Sequence, residues 1–292
     1  MNAVRVVVVS DTHLSLTTPE AAANWDSVVR YVTGAKPDLV IHLGDLTLDG
    51  SHSRTDLQLG RRQLDRLPVT WYAVPGNHDA GDNPGPGLPA DYAVTTERRQ
   101  RWLDIIGPDY WSLALNGWTL VAINAQLFGS GLPAEAAQWA WLRKELGEHR
   151  HGAFTALVSH KPVDAAAEEI AAAPHQRFIP PRARDQLSGL LGGRPADLVM
   201  SGHVHQQRLL RRDGTEHLWA PTAWAVIPDG AQRPVGTKRC GIVTLELSRD
   251  TPVQPQFIVP DGMMQLTLTL DIPDPYRHLS QPRPQQRPVR AG

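Results

Sequence analysis

Five short groups of residues able to hold a metal recur along this 292-residue chain: Asp11-Thr12-His13, Gly44-Asp45, Gly76-Asn77-His78-Asp79, His160 and Gly202-His203-Val204-His205. Each falls just after an apolar run that reads as a buried strand. Together they offer carboxylate, amide and imidazole donors and no thiolate. Oxygen and nitrogen donors in that number can hold two divalent cations side by side, and they suit Mn, Fe or Zn better than Cu(I). Paired cations of this kind stabilise the attacking and leaving oxygens of a displacement at phosphorus, so the chemistry indicated is hydrolysis of a phosphate ester. A single Asp-x-His is weak, and His160 taken alone reads equally well as an ordinary strand-end histidine. Recurrence makes the difference: two i,i+2 pairs stand with Gly-Asn-His-Asp between them.

The elements that must position these groups are legible as continuous Val/Ile/Leu runs, the pattern of strands covered on both faces. They are Val4–Val9, Leu39–Leu43, Val69–Val74, Leu120–Ile123, Ala156–Val158 and Leu198–Met200. Ligands of open α/β sheets gather at the carboxyl ends of the strands, so groups about thirty residues apart can meet there. On a strand end, Asp11 and His13 face one side, as do His203 and His205, and Gly44, Gly76 and Gly202 permit tight turns before the ligands. Helical patterns fill Pro19–Thr33, Arg54–Leu67, Glu97–Ile106, Glu135–Leu146 and Arg182–Leu191. After Gly202 the texture becomes mostly β: Arg208–Arg212 and Thr215–Trp219 flank an Asp213-Gly214 hairpin signal, and Gly241–Leu247 and Met264–Leu270 read as strands. Two packed sheets with helices outside satisfy both parts.

Composition excludes several classes. A formal net charge of −1 carries no electrostatic footprint for nucleic acid or membrane. The single cysteine, Cys240, rules out an intrachain disulfide and reads as a small buried hydrophobe. The N-terminal apolar run is short, β-branched and ends in Ser10-Asp11, so it reads as a first core strand and not as a secretory signal. No stretch reaches the ~18 apolar residues of a membrane span, and a cytoplasmic location is the expectation. Residues 271–292 are rich in Pro and Arg and poor in apolar residues, which predicts a disordered tail. The loop Ala80–Pro89 follows the third group and reads equally as the mouth of a site or as a surface insertion.

In kind and order the five groups resemble the signature of the calcineurin-like metallophosphoesterases. The resemblance runs over about residues 4 to 206. Ser10–Leu14, Gly44–Gly50, Pro75–Asp79 and the Gly-His-Val-His block most resemble class III cyclic-nucleotide phosphodiesterases. Tyr110–Gln126 also resembles phosphomonoesterases of the purple-acid-phosphatase-like branch. The resemblance implies a four-layer α/β/β/α sandwich of two mixed β-sheets flanked by helices; with the β-rich texture after about 207, the expected domain spans 1–270. It implies a centre of two metal ions. Asp11, His13 and His205 would hold one, Asn77, His160 and His203 the other, and Asp45 would bridge them. That split agrees with donor chemistry, because a carboxylate can serve two cations and a neutral imidazole nitrogen cannot. The implied activity is hydrolysis by a hydroxide shared between the metals, with His78 donating to the leaving oxygen and Asp79 orienting a neighbouring imidazole. The implied substrate is a small phosphate ester.

A phosphodiesterase on cyclic nucleotides or small diesters is the favoured expectation, with a phosphomonoesterase as its alternative. A nuclease is disfavoured by charge, a non-catalytic scaffold by the presence of every expected ligand and His78, and a homodimer stays open. Many relatives carry a second histidine after His160. Here Lys161 replaces it, removing one phosphate contact or substituting a cationic one. His42 reads as a core residue or a support behind the ligands. His52 reads as a solvated loop residue or a substrate contact. The tryptophans read as packing, with pocket lining entertained only within Trp219–Trp224.

Overall fold

The valine run Val4–Val9 is a strand, β1, that faces two cores: Val6 and Val8 pack into one, Val7 and Val9 into another. Cover on both sides is why the run lacks polar alternation. The computed structural model describes residues 3–148, 154–165, 169–170, 177–191, 195–250 and 253–269. The predicted tail, 271–292, lies outside the described residues.

After β1 come α1 (Pro19–Ala35), β2 (Leu39–His42), α2 (Arg54–Leu64), β3 (Thr70–Ala73), the four-residue α3 (Asn77–Ala80) and α4 (Thr96–Ile105). The second half-sandwich begins with the hairpin β4 (Trp111–Leu115) and β5 (Trp118–Ala122), then α5 (Pro133–Arg143), β6 (Phe154–Val158), α6 (Pro181–Leu191) and β7 (Leu198–Ser201). A β-rich end follows: β8 (Arg208–Arg212), β9 (Thr215–Trp219), β10 (Ala225–Val226), β11 (Ile242–Leu247), β12 (Gln256–Ile258) and β13 (Leu266–Thr267).

These strands form two mixed sheets. The first has the order β12-β11-β1-β2-β3, with β1, β2 and β3 parallel and β11 antiparallel to β1. The second has the order β4-β5-β6-β7-β9-β8, parallel from β5 through β9 with an antiparallel strand at each edge. Val6, Val8 and Ile41 of the first sheet meet Leu120, Val158 and Met200 of the second in a fully buried inter-sheet core. The other face of the first sheet packs on Trp25 and Val28 of α1, Leu57 and Leu64 of α2 and Trp102 of α4. The outer face of the second packs on Trp139 and Leu142 of α5 and Ala183 and Leu187 of α6. The result is the four-layer α/β/β/α sandwich of two mixed sheets.

Local signals start these helices. Ser53 accepts from the Asp56 N–H to cap α2, and Thr95 accepts from the Arg98 N–H to cap α4. The predicted Asp213-Gly214 turn joins β8 to β9, both residues having positive φ. One strand expected at Met264–Leu270 shrinks to the two residues of β13. The edge strand β4 lies outside the buried runs; Asn116-Gly117, with φ of 44° and 84°, supplies its hairpin turn. The parallel core strands end nearly flush: Val9 pairs with His42, His42 with Ala73, and Val158 with Met200. All five ligand groups therefore leave from one edge of the sandwich.

Candidate metal centre

β1 stops at Val9, and the two loops after β1 and β2 stay laddered. Asp11 N–H donates to Gly44 O at 3.1 Å, His13 N–H to Asp45 O at 3.0 Å and Leu14 N–H to Leu46 O at 2.9 Å. The backbone here is not the strand end that the i,i+2 spacing suggested. Asp11, His13, Asp45, His203 and His205 adopt positive φ of 54°, 45°, 50°, 68° and 52°. Each left-handed non-glycine residue costs roughly 1 kcal/mol or more. Kinks of that hand turn Asp11 and His13, and likewise His203 and His205, into the same space.

The glycines act in two ways. Gly44 has a φ of +95° that L side chains rarely adopt. Gly76 and Gly202 lack positive φ and serve close approach: an added Cβ would meet Asp45 Oδ1 at 2.1 Å and Ser10 Oγ at 1.8 Å, respectively.

Three groups of donors result, each with ligand atoms within 4.8 Å of one another: Asp11, His13 and His205; Asp45, His160 and His203; and His13, Asp45 and His78. His13 Nε2 lies 3.1 Å from His205 Nε2, which lies 3.4 Å from Asp11 Oδ1. His160 Nε2 lies 3.2 Å from Asn77 Oδ1 and 3.1 Å from His203 Nδ1. Asp45 Oδ2 lies between the clusters, 3.3 Å from His160 Nε2 and 3.8 Å from His13 Nε2.

The tautomers implied by hydrogen bonding fit a cation. His160 Nδ1 donates to Leu43 O at 2.8 Å and His205 Nδ1 to Ala225 O at 2.7 Å. Each inward-facing Nε2 then carries a lone pair. Those lone pairs face the Asp45 and Asp11 carboxylates, Asn77 Oδ1 and the His13 and His203 rings, an acceptor-rich space suited to a cation. The same demand acts on protons: burial opposes a charge on His160, yet the Asp45 carboxylate beside it pushes that imidazole up to about 9. Burial, with cationic neighbours, holds His13 and His203 well below the usual histidine range.

Supporting contacts fix the donors. The Asp11 carboxylate accepts from His203 N–H at 3.0–3.1 Å, and Asp45 Oδ1 accepts from His78 N–H at 2.9 Å. His42 is fully buried, held neutral by burial with its pKa lowered to about 4, and its Nε2 meets Thr12 Oγ1 at 3.0 Å. It braces the first loop from behind. Trp224 packs behind His13, ring centroids 5.2 Å apart, Trp219 is core, and neither lines the cleft beside the donors.

Three readings change in the structure. Asp79 does not turn toward an imidazole: its carboxylate accepts from the N–H groups of Leu46, Thr47 and Gly76 and from Thr47 Oγ1, at 2.8–3.0 Å. It ties the loops after β2 and β3 together. Lys161 offers no cation to a phosphate, because its side chain is fully buried against Asp82 and Asn83. His52 neither floats in solvent nor lines the cleft: Nδ1 meets Asp49 Oδ1 and Nε2 meets Asp91 O, both at 2.8 Å.

A cleft of about 170 Å³ opens beside the donors, lined by Asp49, Ser51, Asn77, His78, Asp82, Leu88 and Tyr92. Two larger hollows, of about 510 and 430 Å³, include none of these donors. The chemistry, and not the volume, marks the site. Among the described residues no helix is long and apolar enough to cross a membrane.

Comparison with known proteins agrees with this geometry. A curated relative, the probable glycerophosphodiester phosphodiesterase GpdQ of Arcobacter nitrofigilis, is 26% identical over 215 residues, covering 69% of this chain and 71% of that protein. The purple acid phosphatase PPD1 of yellow lupin superposes with a TM-score of 0.62 at 14% identity, over 90% of this chain and 52% of that one. A dimetal phosphatase from Danio rerio gives 0.57 at 15% identity, over 88% and 99%. GAP50, the anchor in the inner membrane complex of Plasmodium, gives 0.63 at 13% identity, over 90% and 87%. At these identities the structural likenesses establish the fold alone. The family model for the calcineurin-like phosphoesterases matches residues 4–207, and with that match the chain belongs to the calcineurin-like phosphoesterase family and is a phosphoester hydrolase.

Proposed function

We propose that this hydrolase cleaves small phosphodiesters, one alcohol arm of the substrate sitting in the cleft beside the donor cluster. In this reading Asp11, His13 and His205 would hold one divalent cation and Asn77, His160 and His203 a second, with the Asp45 carboxylate between the two sets available to both. When bound, such cations lower the pKa of water and neutralise charge developing on phosphoryl oxygens. The residues supply the rest. His78 gives Nδ1–H to Leu48 O at 2.7 Å, which fixes the ring and assigns Nε2 to the proton exchanged with the leaving alcohol. Asp79 keeps the loop bearing Asn77 and His78 in register with the loop bearing Asp45. Leu88 and Tyr92 give the cleft an apolar wall that excludes water from the leaving arm.

The observation that carries the choice of substrate is the size of the cleft. Pockets for drug-sized molecules run from about 300 Å³ upward, whereas this one holds about 170 Å³. The small cleft supports a compact, hydroxylated arm over a nucleoside. The relative described above as a probable glycerophosphodiester phosphodiesterase supports the same class. The test is turnover by the Mn²⁺-loaded protein of bis(p-nitrophenyl) phosphate against p-nitrophenyl phosphate, and of glycerophosphoethanolamine against 3′,5′-cyclic AMP. The expected result is kcat/KM at least about tenfold higher for the first of each pair, a margin of about 1.4 kcal/mol. A strong monoester preference would make the chain a phosphomonoesterase instead.

A further inference from the structure

Lys161 follows the candidate ligand His160 in sequence, yet its ammonium is fully buried. It donates to the Asp82 carboxylate and, at 2.6 Å, to Asn83 Oδ1. A buried ion pair is costly to desolvate and apolar residues of equal volume often serve stability better, so stability is a poor explanation for it. What the pair connects explains more. Asp82 closes the stem of the 82–94 loop: its N–H donates to Tyr92 O and its carbonyl accepts from Val94 N–H, both at 2.8 Å. The Asn83 amide donates to the carbonyls of Ala125 and Phe128 at 2.7 and 2.8 Å. One ammonium therefore ties together the loops that follow β3, β5 and β6. Asp82, Leu88 and Tyr92 of the 82–94 loop line the cleft together with Asn77 and His78.

We propose that Lys161 is a positioning residue: it locks the 82–94 loop to the loop that carries His160, and so sets how far the alcohol-arm wall stands from the candidate metal centre. This rests on the reading of the cleft as the seat of a diester arm. The geometry predicts a specificity role. Without the ammonium the stem loses its anchor, the wall withdraws and the arm binds more weakly, while the donors around Asp45 keep their own supports.

The experiment compares the Mn²⁺-loaded full chain with Lys161→Met and Asp82→Asn. Lys161→Met keeps the volume and removes the donor; Asp82→Asn keeps the lysine and removes its charged partner. The expected result in each is a rise of about tenfold in KM for glycerophosphoethanolamine, kcat within about threefold and bound metal unchanged. The double variant, which leaves no unpaired charge, should show a KM no higher than either single one. Hydrogen exchange supplies a readout independent of turnover: the amides of Asp82 and Val94 should lose protection in Lys161→Met while those of β6 keep it. A KM equal to wild type in a folded, metal-loaded variant would overturn the proposal, as would unchanged protection at Asp82 and Val94. If Lys161→Met does not fold, Asp82→Asn carries the same measurements. If the wild type hydrolyses no diester, the substrate reading fails, and the exchange data still decide whether Lys161 anchors the loop.

Discussion

His78 stands apart from the other imidazoles of the cluster, because its ring borders both the donors and the cleft. Its centroid lies 4.7 Å from that of His13, edge to face, and its Nδ1 is committed to Leu48 O. Asp45 Oδ1 accepts from the backbone N–H of His78, a support that truncating the side chain leaves in place. His78→Ala should therefore retain its metal by elemental analysis and lose kcat by about 10²–10⁴-fold, the range general acids supply. Wild-type turnover by that variant would remove His78 from the mechanism. At this scale the sequence was informative about type and poor on direction. The kinds and order of the donors marked out Asp11, His13, Asp45, Asn77, His160, His203 and His205, and the structure brings all of them together. That Asp79 faces three backbone N–H groups, and Lys161 faces Asp82, depends on side-chain direction across chain separations of up to 79 residues, which no local pattern encodes.

The strands and their exits explain why ligands so far apart in sequence converge. Buried runs identified the parallel strands because a strand covered on both faces has no polar side to interrupt it. The edge strand β4 escaped notice for the opposite reason: its residues are half-buried or exposed, and it reads as neither a buried run nor a helix. The left-handed kinks at five donor residues were equally invisible, since Asp and His adopt them here only because surrounding loops enforce it. Gly202 is one of the closest approaches in this architecture. Gly202→Ala would place a Cβ 1.8 Å from Ser10 Oγ and 2.7 Å from Asp11 Oδ2, moving the first loop against the last. The expected cost is about 1–3 kcal/mol of stability, typical of overpacking, together with weakened metal retention. Calorimetry and metal analysis on the same sample test both; an unchanged melting temperature with full metal content would contradict the tight fit of these two loops.

For the molecule as a whole, the centre joins two sheets whose shared core is otherwise apolar. His203 N–H reaches Asp11 of the other half, and His160 Nδ1 reaches Leu43 O across the same boundary. Cations bound only by the folded chain stabilise it by mass action, by about 2.7 kcal/mol at a hundredfold excess over Kd. Treatment with a chelator should lower Tm, and Mn²⁺ should restore it. A Tm indifferent to both would mean that the cluster holds no cation of consequence. The boundary has a further consequence. Each proposed cation takes donors from both halves: Asp11 and His13 with His205, and Asn77 with His160 and His203. A chain lacking the second half owns Asp11, His13, Asp45 and Asn77, and completes neither proposed donor set. The proposed donor sets are therefore complete only where both sheets are in place.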